Sequence, residues 1–127
     1  MKKILVTDDN VMMRKLIIHM FRNEPYEFVE ACNGRDCLKI LENNAFDLVI
    51  TDIIMPEMEG IEMIIRAKRL YPEIKIIAIS GSKPYYLYMA KKLGIEGVFT
   101  KPLNHHKFVS MVNNILKLLP ERISKAG

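Results

Sequence analysis

Five short apolar runs punctuate the chain: KKILVT (2–7), YEFVEA (26–31), FDLVIT (46–51), IKIIAIS (74–80) and GVFT (97–100). Longer stretches with apolar residues at helical spacing lie between them. Strand-length runs alternating with helical periods predict a parallel sheet, because parallel neighbours need crossovers and the crossovers cover both faces with helices. Leu48–Ile50 and Ile76–Ile79 are apolar without alternation, which places them in mid-sheet, where neither face meets water.

The intervening stretches carry helix punctuation. Asn10 caps a helix whose inward stripe is Met13, Leu16, Ile17 and Met20, and Asn33 precedes one carrying Cys37, Leu38 and Leu41. A third helix runs from about Met58 to Leu70, with Ile61, Ile64 and Ile65 inward, and stops before Tyr71-Pro72. A fourth starts with Pro84 in its first turn and ends at Gly94. The fifth carries Phe108, Met111, Val112, Ile115 and Leu119 until Pro120. The fold class is thus α/β, a doubly wound five-stranded parallel sheet.

Composition narrows the function. With 127 residues, half of them apolar, one domain can bury a core without disulfides or structural metal. Residues 1–120 are expected to form that domain and 121–127 a polar tail. The net charge is +4, but nineteen Lys and Arg are scattered among fifteen acids with no aromatic-interleaved basic stripe, so direct nucleic-acid binding is not expected. Cys32 and Cys37 fit neither a disulfide framework nor a zinc site and read as reduced packing residues. No apolar run reaches the ~18 residues that span a bilayer, which predicts a cytoplasmic protein without membrane contact.

In a parallel sheet every strand points its carboxyl end to the same edge, so residues finishing the five runs converge there. Those residues are Asp8 and Asp9, then Asp52, Ser80 and Lys101. Two carboxylates ~4 Å apart repel by roughly 4 kcal/mol at an effective dielectric of 20, so three together call for a cation that one ammonium cannot replace. Oxygen-only ligands on a half-open site select magnesium. With the charge offset, Asp52, at the end of the middle strand, is the candidate nucleophile toward phosphorus. Ser80 can donate to one phosphoryl oxygen and Lys101 pair with another, while the metal holds a third, and Gly81 leaves room for the group.

The segments LVTDDN, TDIIMPEMEG and FTKP resemble the receiver domains of two-component response regulators, from about Lys2 to Leu119. The resemblance implies a flavodoxin-like (βα)5 fold with strand order 2-1-3-4-5. It implies that Asp8 and Asp9 are metal-site acids, Asp52 the phosphoacceptor, Ser80 the switch hydroxyl and Lys101 the phosphate-pairing lysine. It adds the backbone carbonyl of Ile54 as a ligand for magnesium, which manganese can replace, and a cis bond between Lys101 and Pro102. A histidine kinase or phosphotransfer protein would supply the phosphoryl group. The fourth helix, fifth strand and fifth helix would present a surface to a downstream protein effector, or to a fused output domain outside this sequence.

Two departures stand out. Many receivers carry Tyr or Phe three residues before the lysine; here that residue is Val98, and Phe99 follows on the opposite face of the strand. Leu103 replaces the usual Phe after the proline. On the fourth helix Leu87, Tyr88, Lys91 and Lys92 are expected to face outward as an apolar anchor with a basic rim, continuing to Val98. His105 and His106 are adjacent in a first helical turn, where ring directions diverge by ~100°, so they read as solvated residues and not as a metal pair.

Two other functions compete. A magnesium phosphohydrolase working through a phospho-aspartate usually needs an acid two residues past the nucleophile, where this chain has Ile54. A receiver-like scaffold that binds without phosphorylation would not need all five site residues.

Overall fold

The five runs form β1 (Lys2–Thr7), β2 (Tyr26–Ala31), β3 (Leu48–Asp52), β4 (Ile76–Ser80) and β5 (Gly97–Thr100). They were obtained as a computed structural model, which describes residues 1–53, 55, 60–81, 88 and 91–121. All four pairings are parallel and the order is β2-β1-β3-β4-β5. β3 and β4 are buried along their whole length, as their unbroken apolar pattern requires.

Among the described residues the helices are α1 (Val11–Met20), α2 (Gly34–Asn43), α3 (Gly60–Leu70) and α4 (His105–Leu118). Tyr88, Lys91 and Lys92 are also helical, inside the stretch expected as a helix between Pro84 and Gly94, and Gly94 takes the left-handed torsion (φ 73°) of a helix stop. Pro84, Tyr86, Leu87, Met89 and Ala90 lie outside the described residues, as do Met58 and residues 122–127 of the expected tail.

Asparagines start three of the helices. Asn10 Oδ1 accepts from the Met12 and Met13 amides (2.9 and 3.2 Å), Asn33 Oδ1 from Asp36 (2.7 Å) and Asn104 Oδ1 from Lys107 (3.0 Å). Each such cap contributes about 1 kcal/mol by satisfying amides that have no partner inside the helix. At the other end of the molecule Lys2 Nζ donates to the carbonyls of Leu119 and Pro120 (2.8 and 2.9 Å), tying the end of α4 to β1.

The period-two alternation of the strands divides the core into two layers. Leu5, Val49, Ile76 and Ala78 face α2 and α3, meeting Cys37, Leu41, Met63, Ile64 and Ala67. Ile4, Val6, Leu48, Ile50, Ile77 and Ile79 face the other way, against Ile17, Phe21, Phe108, Val112 and Leu116. Burying each large side chain stabilises the fold by about 1.5–3 kcal/mol relative to exposure.

Several apolar residues depart from the stripes read in the sequence. Leu16 is 49% exposed and Ile65 39%, while Met63, Ala67, Phe21 and Leu116 are buried in their stead. In α3 the buried set is Gly60, Met63, Ile64 and Ala67, an i, i+3, i+4, i+7 stripe, and Ile65 stands ~100° off it. Leu16 is displaced from Ile17 in the same way. Cys37 is buried as expected, with its thiol pushed up to about 12 by burial, but Cys32 is exposed beyond the end of β2 and is not a packing residue.

The β3–α3 connection depends on close backbone approach. The Gly60 amide donates to the Ile53 carbonyl at 2.8 Å, and a Cβ on Gly60 would collide with the Asp52 carbonyl oxygen and stand 2.7 Å from Ile53 Cα. Backbone cannot yield as a flexible side chain can. Gly60→Ala should therefore destabilise the protein by about 1–3 kcal/mol, read as a lower urea midpoint with an unchanged slope.

Candidate functional site

Four of the five strands deliver parts of the site to the carboxyl edge of the sheet. β1 leads into Asp8, which is buried, and Asp9, which is exposed; β3 ends in buried Asp52 and β4 in buried Ser80; β5 leads into Lys101. Carboxylate oxygens of Asp8, Asp9 and Asp52 all lie within 4.8 Å of one another. Lys101 Nζ stands 3.3 Å from Asp52 Oδ2 and 3.6 Å from Asp8 Oδ2. The five residues read from the sequence as one constellation are thus brought together.

Local hydrogen bonds orient the acids. Asp8 Oδ1 accepts the Asn10 amide at 2.9 Å, and the Asp8 amide donates to the Ala31 carbonyl at 3.1 Å. Asp52 Oδ1 accepts the Ile53 amide at 2.8 Å. The Lys101 amide donates to the Ser80 carbonyl at 3.0 Å, tying the lysine's backbone to the end of β4, and the Lys101–Pro102 bond is cis, as the resemblance implies. A Cβ on Gly81 would come to 3.5 Å from Lys101 Cδ, an ordinary contact, so glycine there leaves added space beside the lysine. Ile54 lies outside the described residues.

Charge at the site is unbalanced. Among the described residues three carboxylates face one ammonium, and the clustered donors are all oxygen, which suits a hard divalent cation such as magnesium. Burial raises the Asp8 carboxyl above its ordinary value; the Asn10 amide opposes that, Asp52 adds to it, Lys101 opposes and Asp9 adds. Ser80 Oγ is buried with no hydrogen-bond partner among the described residues.

Sequence reasoning passed over Arg14. Its Nη1 donates to the Asp8 carbonyl at 2.7 Å and its Nε to Glu30 Oε1 at 2.9 Å. The available signal was weak: a basic residue one turn beyond the acidic loop, whose partner on β2 is sixteen residues away.

The expected partner surface is described in part. Tyr88, Lys91 and Lys92 are exposed, with Lys92 Nζ 5.0 Å from the Tyr88 ring centroid. Val98 is half-buried against the α2/α3 layer, and Phe99 packs edge-on to Phe108 in the other layer at 5.1 Å, the opposite faces that strand alternation predicts. His105 and His106 are exposed on the first turn of α4. A cleft of about 550 Å³ lined by Leu41, Phe46, Tyr71 and Ile74 opens beside the amino ends of β3 and β4, away from the acids.

The chain matches the response regulator receiver domain family model over residues 4–113. It is 37% identical over 81 residues to the response regulator receiver protein CpdR of Brucella abortus, covering 64% of this chain and 68% of that one. Against the chemotaxis protein CheY of Thermotoga maritima it is 31% identical over 118 residues, 91% of this chain and 98% of CheY. The crystal structure of the response regulator TrrA of Thermotoga maritima, in complex with Mg2+ and BeF, superposes with a TM-score of 0.82 at 30% identity, covering 91% of this chain and 99% of TrrA. Together with the parallel order and the acid cluster, these likenesses define a doubly wound phospho-signalling domain. The chain belongs to the response regulator receiver family of two-component systems. Receiver domains are signalling proteins that bind magnesium at such an acidic cluster. Among the described residues no helix is long and apolar enough to cross a membrane.

The raised Asp8 carboxyl has a definite sign in the metal-free protein. The folded state binds the Asp8 proton more tightly than the unfolded chain does, so this group makes stability fall as pH rises from 3.8 through its folded-state value. Asp8→Asn should remove that decline and raise metal-free stability at neutral pH. Urea unfolding in chelator across that pH window would show it; parallel profiles for the two proteins would contradict it.

Proposed function

We propose that Asp52 accepts the phosphoryl group, that Asp8, Asp9 and Asp52 with the Ile54 carbonyl hold magnesium, and that Ser80 and Lys101 receive the phosphoryl oxygens. The observation that carries this is Ser80 Oγ. A buried hydroxyl without a partner costs about 1–3 kcal/mol, so one at the lip of an acidic crevice points to an acceptor that arrives from outside. A phosphoryl oxygen is such an acceptor, and Lys101, within reach of Asp52, is placed to pair with another.

In the transfer, an Asp52 carboxylate oxygen forms a bond to phosphorus as the P–N bond of a donor phosphohistidine breaks, its electron pair passing to the imidazole nitrogen. When bound, the metal supplies the positive charge that lets an anionic phosphoryl group approach three carboxylates; manganese offers the same preference for oxygen. Asp8 and Asp9 hold that charge in place, and Lys101 is the ammonium beside the new anion. The donor is a histidine kinase or a phosphotransfer protein. The protein turns over no external substrate, since the residue two past Asp52 is Ile54 and offers no proton to a leaving group.

The receiver would occupy residues 1–120, with 121–127 as a tail, and would work in the cytoplasm. Phosphorylation would alter the face that carries Leu87, Tyr88, Lys91, Lys92 and Val98, where a protein effector binds; two exposed lysines beside Tyr88 support that assignment. Leu87 lies outside the described residues.

Intact mass measurement after incubation with magnesium and a small acyl phosphate tests the nucleophile. Wild type should gain one phosphoryl mass, and Asp52→Asn, or wild type in chelator, should gain none. Equal labelling of the Asn variant would show that another residue accepts the group.

Coupling to the partner face should run from Ser80 through Gly81 and the segment after it, since Val98 provides no ring to swing. Gly81→Pro should then blunt the gain in effector affinity that a beryllofluoride mimic produces, and Val98→Ala should keep most of it. The reverse result would route the signal through β5.

A further inference from the structure

We infer that Arg14 and Glu30 form a positioning pair that aims the Asp8–Asp9 segment at the metal, an inference that rests on the metal site proposed above. The carbonyl that Arg14 holds at 2.7 Å belongs to the peptide joining Asp8 to Asp9. Each peptide is planar, so holding the Asp8 amide in the Thr7–Asp8 peptide and the Asp8 carbonyl in the Asp8–Asp9 peptide fixes the planes on both sides of Asp8 Cα, and with them the direction in which the Asp8 side chain and the Asp9 backbone leave. Asp9 needs this control most, because its carboxylate is exposed and accepts no hydrogen bond among the described residues. Asp8 is anchored through its own side chain by the Asn10 amide, whereas among the described residues Asp9 is aimed through its backbone.

The grip comes from β2 at two adjacent residues. Ala31 takes the Asp8 amide directly, and Glu30, one residue earlier, takes Arg14 Nε at 2.9 Å while Arg14 Nη1 reaches the Asp8 carbonyl. Glu30 is itself steadied by Lys15 Nζ at 2.6 Å from its other oxygen. The Arg14 side chain is only 14% exposed, so its fork is held in a packed setting between α1 and β2 and does not wave in solvent. A guanidinium can bridge a carbonyl and a carboxylate with separate N–H groups in one rigid plane, which an ammonium on a flexible stem does less well.

Charge alone predicts the opposite effect on the metal. A guanidinium beside a cation site repels the cation, so a purely coulombic role would make magnesium bind more tightly once Arg14 is gone. A positioning role makes it bind more weakly. The sign of the change therefore separates the two.

Magnesium titration by calorimetry on the metal-free full chain, with thermal unfolding in chelator alongside, tests the pair. Arg14→Ala should weaken magnesium binding by about tenfold, the scale on which partners of metal ligands act. Arg14→Lys, with the charge kept and the fork lost, should also weaken it by several-fold. Glu30→Gln, which keeps an acceptor oxygen for Arg14, should stay within about threefold of wild type, whereas Glu30→Ala should approach Arg14→Ala, and the double alanine variant should be no weaker than Arg14→Ala alone. Unchanged or tighter binding in Arg14→Ala, beside loss of binding in Asp9→Ala, would overturn the positioning role and leave the metal site standing. Wild-type affinity in Asp9→Ala would remove the metal site itself, and this inference with it. Should Arg14→Ala fail to fold, Arg14→Lys and Glu30→Ala decide: a lower melting temperature with wild-type magnesium affinity in both would mean a structural role only and overturn the inference.

Discussion

The structure is organised around a repulsion it has to contain. Asp8, Asp9 and Asp52 bring three carboxylate oxygens within 4.8 Å of each other at one edge of the sheet, with the Lys101 ammonium close to two of them. At such distances like charges cost roughly 4 kcal/mol per pair at an effective dielectric of 20, a sizeable fraction of the net stability of a small domain. Nothing local could hold them. What holds them is a sheet buried on both faces, whose central strands β3 and β4 have no exposed residue. The parallel order makes the convergence unavoidable, because every strand discharges its last residue at the same edge.

Containment leaves the site poised to bind. The surplus negative charge favours a divalent cation, and the unpartnered Ser80 hydroxyl favours an incoming oxygen, so ligands of both signs lower the energy of the same crevice. The Lys101 amide is bonded to the Ser80 carbonyl, and Val98 lies on the same strand, β5, that leads into Lys101. A phosphoryl group on Asp52, in the proposed reading, would therefore act on backbone shared with the proposed partner face. This is how a local charge event can bias a two-state surface without a dedicated transmission element.

The strands, the helix caps and the acids were legible in the chain. KKILVT, YEFVEA and GVFT became β1, β2 and β5 residue for residue, β3 and β4 each start two residues inside FDLVIT and IKIIAIS, and Asn10 and Asn33 cap helices because capping acts across two or three residues. Val98 and Phe99 fell on opposite faces for the equally local reason that a strand alternates. Asp8, Asp9, Asp52, Ser80 and Lys101 could be grouped in advance because strand ends in a parallel sheet share one edge, whatever their separation in sequence.

Tertiary packing decided the rest. Leu16 and Ile65 are as apolar as their buried neighbours, yet each lies one residue off the line along which its helix touches the sheet, and that line is fixed by where the helix docks. Cys32 reads as a core residue by type and is exposed because β2 ends one residue before it. Arg14 pairs with Glu30 and the Asp8 carbonyl only because α1 lies against β1 and β2, and Ser80 lacks a partner among the described residues because no donor or acceptor from their distant segments reaches it. Sequence by itself determined what depends on neighbours along the chain: periodicity, capping and the chemistry of each side chain. Distances between remote segments determined which of those side chains meet, because such contacts are set by the docking of whole elements and leave no local trace.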